Sequence, residues 1–69
     1  MKLIEGKKYK LFGKIFIYDG IWKGYNCDRC NRDRENLYVF VQGKRDSPTQ
    51  VAKYGSECLK TINIKRYVE

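Results

Sequence analysis

Three cysteines constrain this chain more than any other feature of its sequence. Cys27 and Cys30 are separated by two residues, and Cys58 closes the segment Tyr54-Gly55-Ser56-Glu57-Cys58. At 69 residues, a hydrophobic core alone gives marginal stability, so an added staple is expected. An odd cysteine count with C-x-x-C spacing fits a reduced setting and a metal site better than a disulfide framework. Two cysteines two residues apart reach one tetrahedral ion from a tight turn whose amides point at the sulfurs. Asn31, next after Cys30, tolerates the left-handed conformation that such a turn uses. The expected site is zinc held by Cys27, Cys30 and Cys58, and its removal should unfold so small a domain.

Along the chain, residues 8–12 alternate at period two and predict a strand, which Gly13 ends as a bulge or tight turn. Residues 14–18 form a second run of branched and aromatic side chains. Asp19-Gly20, between that run and residues 21–25, predicts a hairpin turn because type I′ turns need positive φ at both central positions. Residues 31–36 read as a polar turn. Residues 37–42 are the clearest strand, so continuously apolar that both faces should be covered. A loop over 43–48 stops at Pro48, and residues 49–54 return as the antiparallel partner.

Ser56 is placed to cap a short helix over 57–62, with Glu57 near its positive end. Cys58 then lies in the first turn, where the dipole should lower its thiol pKa. Residues 62–68 alternate like a strand, although Leu59 and Ile62 also fit a helical face. Phe16, Trp22, Tyr38 and Phe40 are the expected aromatic core, while Tyr9, Tyr25 and Tyr67 fit either core or surface. The fold class is a small, β-rich, metal-stapled α+β domain over 1–69, with an N-terminal hairpin region over 1–25 and a metal-binding region over 26–69.

Knuckle, β-hairpin and helix start is the ligand order of treble-clef zinc fingers. With Cys27, Cys30, Leu37 to Val41 and Gly55-Ser56-Glu57-Cys58, the chain resembles a group of small, often phage-encoded zinc-binding proteins. Their pattern is C-x-x-C-G, a Tyr/Val/Phe-rich strand, then G-x-x-C opening a helix. The resemblance covers the C-terminal part of the chain and does not address residues 1–24. It implies a treble-clef-like knuckle, hairpin and short C-terminal helix, which would follow the N-terminal β-hairpin expected from Asp19-Gly20. Two departures stand out: Asn31 replaces the usual glycine, and Gly55 and Thr61, where a fourth ligand is sought near Cys58, supply none. There is no histidine, so Asp28, Asp33, Glu57, a water or a partner's ligand would complete the site. Two other readings of the cysteines stand beside zinc: a metal-free core in which Cys58 is a small buried hydrophobe, and a redox dithiol. The redox reading is weakened by the lack of a βαβ pattern.

Fifteen Lys and Arg against eight Asp and Glu give a net charge of +7. Three thiolates and a divalent ion together subtract one charge, so the protein is basic with or without metal. Lys7, Lys8, Lys10 and Lys14 cluster in the first strands, Arg29 and Arg32 crowd the knuckle, and Lys44 and Arg45 occupy a loop tip. Lys60, Lys65 and Arg66 make the C-terminal segment basic as well. Cations interleaved with Tyr9, Tyr18, Trp22, Tyr25 and Tyr38 suit a nucleic-acid surface, with phosphates taking the charge and exposed rings stacking on bases. The plainer alternative is a core of aromatics and a solvated face of lysines, with Asp28, Asp33 and Glu35 diluting the arginines. The expected partner is nucleic acid or an acidic protein surface, bound through Lys7, Lys8, Lys10, Lys14, Arg29, Arg32, Lys44 and Arg45.

The alternative function, which the resemblance suggests, is a phage-encoded interaction protein that docks on a host protein and modulates it. An enzyme is not expected, because no base-bearing pattern or phosphate-cradling glycine loop is present. No apolar run suits a signal peptide or a membrane span. The expected location is the cytoplasm, that of the host for a phage-encoded protein, as a monomer or small homo-oligomer.

Overall fold

The computed structural model describes residues 2–68, apart from the side chain of Arg34. A five-stranded antiparallel sheet dominates it, in the order β6-β5-β2-β1-β7, with β3 and β4 forming a separate two-stranded ribbon. The strands are β1 (Lys8–Leu11), β2 (Lys14–Trp22), β3 (Tyr25–Asn26), β4 (Asp33–Arg34), β5 (Leu37–Gly43), β6 (Pro48–Tyr54) and β7 (Ile64–Arg66), and α1 (Ser56–Leu59) lies between β6 and β7.

The N-terminal hairpin turns at Phe12-Gly13, not at Asp19-Gly20. Phe12 (φ 52°) and Gly13 (φ 77°) both adopt positive φ, and Leu11 pairs directly with Lys14 across the turn. That is the two-residue connection whose twist matches antiparallel strands. Phenylalanine in a left-handed conformation costs about 1–2 kcal/mol relative to an unstrained position. The predicted turn at Asp19-Gly20 instead lies inside β2, where the register against β5 shifts between Tyr18 and Ile21. Gly20 (φ 91°) serves a bulge here. A β-carbon at Gly20 would meet only the carboxylate end of the exposed Glu5 side chain, which can swing aside, so it is the backbone conformation that favours glycine.

Alternation along these strands builds the core. Tyr9 and Leu11 of β1, Phe16 and Tyr18 of β2, Phe40 of β5, and Ile62 and Ile64 pack into one cluster. Tyr9 and Phe40 both approach Tyr18, with centroids 6.5 and 5.3 Å away, and the Tyr9 hydroxyl accepts the Ile4 N–H at 2.8 Å. Tyr38 is half-buried and stacks on Tyr18, whereas Trp22 packs on exposed Tyr25 away from this cluster. Leu37, Val39 and Val41 alternate with Tyr38 and Phe40 and so point to the other face, yet each is fully buried. The continuous apolar run of β5 is thus explained by cover on both sides.

The C-terminal segment departs from expectation in detail. The helix is one turn rather than the residues 57–62 expected, Gly55 occupies the N-cap, and no side chain caps it, Ser56 included. The ambiguous tail resolves as β7, antiparallel to β1 with Lys10 opposite Lys65 and Leu11 opposite Ile64. Phe12 and Tyr54 lie on opposite flanks of the β6-β5-β2-β1 order, yet their ring centroids are 6.4 Å apart. The sheet therefore curls, bringing the first turn toward the end of β6 and the cysteine region beyond it.

Candidate metal centre and basic cleft

Residues 31–36, expected as a turn, contain β4, which pairs Asn26 with Asp33 and Tyr25 with Arg34. This ribbon closes a tight loop around Cys27 to Arg32. The Cys27 N–H donates to the Arg32 carbonyl at 3.0 Å, and the Asn31 N–H donates to the Cys27 carbonyl at 2.8 Å. Asn31 has φ 58°, the left-handed conformation expected of it. Asp28 fastens the loop to β6: its N–H donates to the Lys53 carbonyl at 2.7 Å, and its carboxylate accepts the Lys53 N–H at 2.8 Å.

Across this loop, β6 runs into α1 and delivers Cys58. The sulfurs of Cys27, Cys30 and Cys58 all lie within 4.8 Å of one another. Thiolates around tetrahedral zinc, at about 2.3 Å from the ion, are separated by about 3.8 Å, a difference that side-chain rotation can close. The three cysteines are free. Cys27 is fully buried, but Cys30 and Cys58 are only half-buried, so Cys58 is not a simple core hydrophobe. The C-x-x-C links two antiparallel strands rather than a strand and a helix, unlike the redox motif of βαβ folds.

Electrostatics divide the sulfurs. Burial by itself would raise the Cys27 thiol, but the backbone N–H groups of Cys30, Gly55 and Arg29, together with the Cys30 thiol, lower it to about 6. The Gly55 N–H donates to Cys27 Sγ at 3.3 Å. Cys58 moves the opposite way from the helix-dipole expectation. Its hydrogen bond to Cys30, burial and the nearness of Cys27 push its thiol up to about 11. A one-turn helix offers little dipole, whereas adjacent sulfur charge acts at contact range.

The soft three-sulfur donor set fits zinc. Among the described residues, no fourth Cys, His, Asp or Glu joins the cluster. Asp28 is engaged by Lys53, whose Nζ is 3.7 Å from its carboxylate, and Glu57 pairs with Lys60 at 3.7 Å. Of the carboxylates considered from sequence, these two have other partners.

The basic residues separate by neighbourhood. Lys10 and Arg29 meet, with Lys65, around a cleft of about 410 Å³ that Phe12, Thr61 and Asn63 also line. No carboxylate among the described residues forms an ion pair with Lys10, Arg29 or Lys65. Arg45 is engaged elsewhere, its Nε 2.7 Å from Asp19 and its Nη2 3.5 Å from Glu5. Lys7, Lys14, Arg32 and Lys44 are exposed and Lys8 is half-buried, and none of these five lines the cleft. The sequence reading missed Phe12 and gave Lys65 no site role. The available signal was a large aromatic residue before Gly13, where a two-residue turn ordinarily takes Asn or Asp.

A second, more apolar cleft of about 680 Å³ is lined by Leu3, Ile21, Leu59 and Ile62, with Lys2 and Lys60 also present. No helix among the described residues is long and apolar enough to cross a membrane. Compared with known proteins, the chain matches no family model, no curated protein and no solved structure.

Proposed function

We propose that this protein is a small, zinc-stapled basic module that binds nucleic acid. The observation that carries this reading is the convergence of Lys10, Arg29 and Lys65, from three separate elements, on one cleft beside an exposed phenyl ring. Cations without carboxylate partners are available to phosphates, and the counterions released on binding supply most sequence-independent affinity. The net charge of +7 adds long-range attraction for a polyanion.

Cys27, Cys30 and Cys58 would hold the zinc, whose contribution is structural. Arg29 lies between two of these ligands, and Thr61 and Asn63 follow the third, so two walls of the cleft depend on the cysteine cluster. The order of knuckle, β5–β6 hairpin and α1 supports a treble-clef-like reading of the centre.

The test is zinc content of the purified protein together with oligonucleotide binding before and after chelation. Stoichiometric zinc, affinity that falls steeply with salt, and weaker binding after chelation are expected. Absence of binding to any DNA or RNA at low salt would sink the reading. The apolar cleft favours a second reading, docking on a partner with an acidic surface, because Lys2 lines it together with Leu3, Ile21, Leu59 and Ile62. Retention of one protein partner after nuclease treatment, without nucleic-acid affinity, would select it.

A further inference from the structure

Phe12 is an expensive residue for its position. It is 60% exposed, it stands in a left-handed backbone conformation that bulky side chains rarely adopt, and its turn would form more readily with Asn or Asp. The tilted contact with Tyr54 at 6.4 Å engages one side of the ring without burying it. Strained, exposed side chains held by surrounding structure concentrate at functional sites. The surroundings here are Lys10, Arg29 and Lys65, with Asn63 lining the same cleft.

We infer that Phe12 is a base-stacking platform and that the cleft takes single-stranded nucleic acid, one base lying on the ring while Lys10, Arg29 and Lys65 hold the flanking phosphates. This rests on the nucleic-acid reading and narrows it to unpaired strands. A ring that projects beside cations matches a splayed base and its backbone. In a duplex, by contrast, the π-faces are covered by neighbouring base pairs and only the edges and phosphates are offered. Stacking is tolerant of sequence because every base has a π-face, so no strong base preference is expected. Asn63 can hydrogen-bond a base edge, which would produce a modest preference.

The experiment compares zinc-loaded wild type with Phe12→Ala, Phe12→Gly and Phe12→Tyr. The probes are a fluorescein-labelled oligothymidine and oligouridine of about 12 nucleotides and a mixed-sequence duplex of equal length. Phe12→Ala should weaken single-strand binding by about 5- to 150-fold, the range of one stacked base, and change duplex binding little. Phe12→Tyr should keep wild-type affinity. Phe12→Gly should melt no lower than Phe12→Ala yet bind as weakly, because glycine relieves the turn while lacking the ring. A purely structural role predicts the opposite, with binding tracking thermal stability. Wild type that binds single strands while Phe12→Ala binds equally well overturns the inference and leaves the nucleic-acid reading standing. Tighter binding of the duplex does the same. Wild type that binds none of the probes overturns both.

Discussion

Cys27 and Cys58 contribute to one cluster from opposite electrostatic positions. The lowered Cys27 pKa means that folding favours its thiolate. Its contribution to stability is fully present above the ordinary thiol value of 9.0 and is lost as pH falls through about 6. The raised Cys58 pKa favours the thiol, so its contribution is present below 9.0 and is lost as pH rises through about 11. The chelated protein should therefore gain melting temperature from about pH 6 toward 9 and lose it toward 11. A melting profile that is flat or falling between 6 and 9 contradicts this. Binding of zinc should expel the Cys58 proton near neutral pH and so flatten the alkaline side. The two-residue cysteine spacing and the left-handed Asn31 were legible in the sequence because both are local. The inversion at Cys58 was not, since it depends on Cys27 and Cys30 arriving from a distant loop.

Among the elements, β5 could be read directly from an apolar run with both faces covered, and β6 followed as its partner. Asp19-Gly20 was misread because positive φ at glycine serves a bulge as well as a turn. What decides between them is the pairing of β2 with β1 on one edge and β5 on the other, which no local pattern contains. The tail stayed ambiguous because three residues of β7 owe their conformation to β1. These elements also revise what metal removal should do. The main aromatic cluster contains no cysteine, whereas the knuckle and α1 depend on the sulfurs and on a few loop hydrogen bonds. Chelation should accelerate amide exchange at residues 27–31 and 56–60 while amides of β5 keep most of their protection. Equal loss of protection in β5 would restore the sequence-based expectation that the whole domain unfolds without metal.

For the whole molecule, charge and its local neutralisation together determine which cations can act on a polyanion. Net charge alone makes every lysine and arginine a candidate. The structure divides them: Arg45, Lys53 and Lys60 are tied to carboxylates, and Lys10, Arg29 and Lys65 share a cleft in which none forms an ion pair with a carboxylate among the described residues. Each phosphate contact on a single strand contributes about −0.7 to the slope of log affinity against log salt concentration, so three contacts give about −2. Alanine at Lys10, Arg29 or Lys65 should each reduce the steepness by about 0.7 to 1 and weaken binding at low salt. Arg45→Ala should leave the slope unchanged, because its guanidinium already serves Asp19 and Glu5, and should show instead as a small loss of stability. Slopes that change equally for all four variants would mean that binding follows total charge and that the cleft has no special part in it. If only the three cleft variants change, and Arg29→Ala loses no further affinity on chelation, then metal bound by the cysteine cluster would act on binding by holding Arg29 in place.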